Sequence, residues 1–160
     1  ENCGMGRNAK GLEQALAIAR ERRTGLEMEP RLVSWLAEAC LGAGDFARAR
    51  ALAEESVALG LRIGARVDLI QAQRALAHVL LAQEGAAAGA AVRAALAEAE
   101  KLIKETFATS LAPLVLLDRA ELARLEGDSE ARERALREAR RLFLELGAPR
   151  RVQQIDALLA

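Results

Sequence analysis

Two Gly-Asp pairs, Gly44-Asp45 and Gly127-Asp128, stand 83 residues apart, and the helix-stop glycines Gly64 and Gly147 keep the same offset. Laid over each other, residues 59–77 (LGLRIGARVDLIQAQRALA) and 142–160 (LFLELGAPRRVQQIDALLA) share seven of 19 positions, including Gly64 with Gly147 and Gln71 with Gln154. Half of 83 is about 41, and residues 35–42 (WLAEACLG) align roughly with 75–82 (ALAHVLLA) at an offset of 40. A period near 40 residues is the signature of a supersecondary unit that cannot bury its apolar face alone and must stack on its neighbours. The unit reads as a helix pair. Pro30, Pro113 and Pro149 each stand before or within the first turn of an apolar-periodic stretch, where a missing amide hydrogen is tolerated. Gly25, Gly64 and Gly147 follow Arg-rich amphipathic stretches, as C-terminal stops do.

Apolar spacing between these marks predicts about eight helices, near 10–24, 28–43, 45–63, 66–83, 87–105, 109–126, 128–146 and 149–160. Composition agrees: Ala and Leu supply 63 of 160 residues, Tyr is absent, and β-branched residues are few, which favours helix over a sandwich or barrel. The 23 basic and 23 acidic side chains cancel, so no net field draws in nucleic acid or an anionic membrane. The longest apolar runs, such as 111–117, fall short of the roughly 20 residues of a membrane span. Cys3 and Cys40 do not make a disulfide framework, and with no secretory pattern at the start the expectation is a soluble, cytoplasmic protein. The polar start, residues 1–10, reads as a flexible linker and 11–160 as one helical-repeat domain. Its units are a partial repeat at 11–26, repeats at about 28–64, 66–106 and 109–147, and a partial repeat at 149–160.

Leu36-Ala37, the turn Gly44-Asp45-Phe46, and the small residues Ala49 and Ser56 resemble the tetratricopeptide repeat: a Leu-small pair, a Gly-Asp-aromatic turn, and small residues seven apart on the second helix. The turn recurs at Gly127-Asp128, with Ala139 at the later small position. The period of about 40 and the LELGAPRR phrase at 144–151 are similar to the C-terminal arrays of large bacterial signalling ATPases, the LuxR-type regulators related to the maltose activator and the cyclase-associated ATPases. Val33 stands in place of the usual Trp and Cys40 of the usual Tyr, and the middle turn, 83–89, lacks Gly-Asp and carries about three extra residues. The resemblance implies a right-handed α-solenoid of antiparallel helix pairs. In its register the inner groove receives Arg31, Ser34, Glu38 and Leu41 from one helix, Gln71, Arg74, His78 and Leu81 from the next, then Leu114, Leu117, Glu121 and Arg124, and finally Gln154.

Trp35 lies beside this row, and a lone Trp at a groove edge is the residue type most often found to anchor a partner, although packing between repeats would also account for it. Arg74 and Arg124 are expected to grip carboxylates of a bound segment through paired hydrogen bonds. Catalysis would need convergent groups, and His78 is the only histidine, with no cysteine near it in sequence and no second imidazole for a His-based metal site. No cofactor or enzymatic activity is expected. The GxGxxA spelling of Gly42–Ala47 follows helical rather than strand spacing, so it reads as a turn between helices and not a phosphate loop. Gly4 and Gly6 make an empty GxG in the polar start, and Gly85 and Gly89 permit close helix approach. The basic clusters at 20–23 and 137–151 lack stacking aromatics, since Phe46, Phe107 and Phe143 fall where helix packing would take them, and nucleic-acid binding is not expected. The expected partner is a protein or peptide segment, or a neighbouring domain of a longer bacterial regulatory protein. A small-molecule effector in the groove is the alternative, and self-association through uncapped ends, as a homo-oligomer, a third.

Overall fold

A computed structural model describes residues 3–160, with side chains from Ala9 onward. The described residues are all helical in architecture, without a strand. The helices are α1 (Cys3–Arg22), α2 (Glu29–Gly42), α3 (Phe46–Ile63), α4 (Arg66–Glu84), α5 (Gly89–Thr106), α6 (Ala112–Glu126), α7 (Ser129–Glu145) and α8 (Pro149–Leu159). Short 3-10 turns at Leu26–Met28, Gly85–Ala88 and Thr109–Leu111 lead into α2, α5 and α6. Counting Arg66–Thr106 as one continuous helical run gives seven helices rather than about eight; splitting it at the 3-10 turn separates α4 from α5. That run is long and apolar enough, by length and composition, to cross a membrane, which the apolar runs of the sequence did not suggest, but 44% of its most apolar window is buried inside the fold.

The punctuation behaves as the residue chemistry requires. Asp45 and Asp128 cap α3 and α7, their carboxylates accepting from the backbone amides of Arg48 (3.2 Å) and Ala131 (2.9 Å). Gly64 and Gly147 take φ of 71° and 67°, the left-handed conformation that ends a helix. The first helix departs from expectation: α1 begins at Cys3, so the stretch expected to be a flexible start is helical from its third residue. Residues 1 and 2, and the Cys3 side chain, lie outside what is described.

Each helix packs on its chain neighbours, and α4 also reaches α2 and α6. The apolar core is accordingly divided along the chain. Leu16, Val33, Leu36, Cys40, Ala53 and Leu59 form a first cluster; Ile70, Leu80, Val92, Leu96, Ile103 and Val115 a second; Leu136, Ala139, Phe143, Val152 and Ile155 a third. Leu76 packs against both the first and the second. Cys40 packs as a small hydrophobe, and burial holds its thiol above the usual range. The aromatics do not all follow the packing expectation. Phe143 is buried, but Phe46, at the first position of α3, is 45% exposed, and Phe107, turned outward just past α5, is 84% exposed.

Candidate functional site

α2, α4 and α6 present a shared polar face, and its chemistry centres on His78. Nδ1 of His78 donates to Glu38 Oε1 at 2.5 Å, and Nε2 donates to Asp118 Oδ1 at 2.8 Å. Both ring nitrogens must carry hydrogen to do so, which makes the ring an imidazolium. Burial by itself would lower the imidazole pKa; the hydrogen bonds to Asp118 and Glu38 outweigh it and raise the pKa to about 9. Arg74 completes the set, with Nε donating to Asp118 Oδ2 at 2.6 Å and Nη2 to Oδ1 at 3.1 Å, while its Nη1 donates to Gln71 Oε1 at 3.0 Å. Asp118 is 6% exposed. Burial would raise its carboxyl, but hydrogen bonds from His78 and Arg74 hold it below the usual range.

Glu38, Gln71, Arg74 and His78 are thus brought together as the groove register implied. Asp118, which joins them, was not foreseen, although Glu38, His78 and Asp118 follow one another in steps of 40. The three extra residues at the middle turn moved the expected third-helix register onward to Leu114, Leu117, Glu121 and Arg124. Of these, Leu114 and Leu117 are half-buried and pack against the third apolar cluster instead of lining the face. Glu121 and Arg124 remain exposed and pair with each other at 2.7 and 2.8 Å, which lowers the Glu121 carboxyl.

Ser34 is buried, its hydroxyl donating to the Arg31 carbonyl at 2.8 Å, so it faces the interior and not a ligand. Arg31 donates to the buried Asp68 at 2.7 Å. Arg74 and Arg124, expected to grip a ligand's carboxylate, each already hold a carboxylate of this chain. Trp35 is 47% exposed. Gln154 lies apart on α8, accepting from Arg151 at 3.2 Å.

The polar set separates two depressions. One, of about 380 Å³, is lined by His78, Leu81, Ala82, Glu121, Arg124 and Leu125. The other, of about 200 Å³, is lined by Arg31, Trp35, Val67, Asp68, Gln71 and Leu111. What this arrangement offers is a fixed, internally neutralised floor with an apolar recess at each end. Among the described residues no three His, Cys, Asp or Glu side chains converge to hold a metal. No protein family, curated protein or solved structure was found to match this chain.

Proposed function

We propose that this chain is a non-enzymatic interaction module: a right-handed α-solenoid of tetratricopeptide type whose α2, α4 and α6 line a concave face that receives a protein segment. The observation that carries this reading is the polar ladder of Glu38, His78, Asp118 and Arg74. It ties three alternate helices together in steps of 40 residues, as equivalent positions of a stacked repeat would be. A surface held in shape before binding loses little entropy on binding, and its apolar recesses supply the anchor points. By its resemblance to the arrays of bacterial signalling ATPases, the module would serve a cytoplasmic multidomain regulator. A small-molecule effector is the second reading, favoured by the depression of about 380 Å³ beside His78, a size common among ligand sites.

Selection of a random peptide display library on the full chain tests the first reading. Selected peptides are expected to lose affinity on Trp35→Ala or on Glu121→Lys with Arg124→Glu, and to keep it on Arg134→Ala, a change on the outer face of α7 where Arg134 is 71% exposed. Peptides indifferent to both concave changes would refute it. Saturable quenching of Trp35 fluorescence by a metabolite, with no peptide selected, would favour the effector.

A further inference from the structure

Phe107 occupies a position where this fold otherwise uses glycine. The turns that follow α3 and α7 pass through Gly64 (φ 71°) and Gly147 (φ 67°), and the turn between α1 and α2 through Gly25 (φ 66°). After α5, the left-handed residue is Phe107, at φ 57° and ψ 24°. An L side chain is strained there, and a ring that is 84% exposed recovers almost nothing by packing. The fold itself has no use for this side chain.

Its surroundings have the composition of a contact patch. Arg66, at the start of α4, pairs with Glu105, two residues before Phe107, which brings the α3–α4 turn against the α5–α6 turn. That places Ile63 and Val67, each 45% exposed, on the same edge as the ring. Arg62 and Lys104, in the last turns of α3 and α5, are exposed and make no ion pair among the described residues. The edge therefore combines a projecting aromatic with apolar neighbours and two free cations, while its nearby carboxylates, Glu105 and Asp68, are already neutralised by Arg66 and Arg31. Beside it, Val67 and Leu111 open into the depression of about 200 Å³.

We infer that this turn edge, distinct from the face between α2, α4 and α6, is a docking surface for a protein whose contact patch is acidic and carries an apolar recess for the Phe107 ring. Charge complementarity selects the acidic partner through Arg62 and Lys104. The ring is the anchor, as aromatic side chains are in most interfaces. A lipid surface fits less well, because Glu105 and Asp68 sit beside the residues that would insert and the edge is indented next to Val67.

The test uses the full chain and a random 16-residue peptide display library, with one enriched peptide then synthesised and its affinity measured. Enrichment of acidic peptides that contain a large apolar residue is expected. Affinity should fall by about tenfold or more on Phe107→Gly and on the double change Arg62→Glu with Lys104→Glu. Phe107→Gly should melt at or above the wild-type temperature, since glycine relieves the strain. Selected peptides without acidic bias, or affinity untouched by Phe107→Gly, would overturn the inference, as would a lower melting temperature for that variant. Peptides lost on Glu121→Lys with Arg124→Glu but indifferent to Phe107→Gly would uphold the concave face alone. Phe107-dependent binding to phosphatidylcholine vesicles containing phosphatidylserine would also overturn it, in favour of a membrane.

Discussion

With both ring nitrogens donating to carboxylates, His78 stays an imidazolium well into the alkaline range. Its pKa in the folded chain, about 9, lies above the ordinary 6.5, so the stability it contributes is complete below pH 6.5 and fades as pH rises through 9. Asp118 acts in the opposite sense. Its pKa is depressed from 3.8, so its contribution is present above that value and is lost in more acidic solution. Because the chain has one histidine, nitrogen-15 NMR of the imidazole reads this directly. We expect a midpoint near 9 that falls toward 6.5 in Asp118→Asn; a wild-type midpoint at or below 6.5 would contradict the ladder. Asp118→Ala leaves Arg74 and His78 without their shared acceptor and should cost about 3 kcal/mol in denaturant unfolding.

For the helices, local signals decide where each begins and ends. The carboxylates of Asp45 and Asp128 occupy equivalent cap positions 83 residues apart. Asp128→Ala should lower stability by about 1 kcal/mol, Asp45→Ala by a similar amount, and the double change by the sum, as the two caps share no partner. Thermal or denaturant unfolding of the three variants checks this. Most helix ends could be read within a few residues because Pro, Gly and Gly-Asp act through the backbone alone. Register between helices was harder to read. The three additional residues around Gly85 are taken up in a 3-10 turn, so α6 keeps the 40-residue step from His78 to Asp118 while a count through the turn displaces it. Leu114 and Leu117 were assigned to the groove by that displaced count. The outward turn of Phe107 had no sequence signal of its own, since an aromatic after an amphipathic stretch reads as a packing residue until its backbone is known.

Across the whole molecule, the apolar core comes as three clusters in chain order, coupled through α4 and α6. Such an arrangement does not unfold uniformly, because a terminal helix has neighbours on one side only. Native-state hydrogen exchange should show the slowest amides in α4, around the fully buried Ile70 and Val79, with α1 and α8 exchanging fastest. Equal protection in all helices would mean one cooperative core and would weigh against a linear stack. The ladder also gives the stack an order. Its members alternate in sign, from Glu38 to His78 to Asp118, so neighbouring units recognise each other as plug and socket do. Excise the middle unit and two carboxylates would confront one another; duplicate it and two imidazolium rings would. In an array whose units share one architecture, those three side chains make each unit specific to its place, and sequence exchange among the repeats is barred by charge even where shape would permit it.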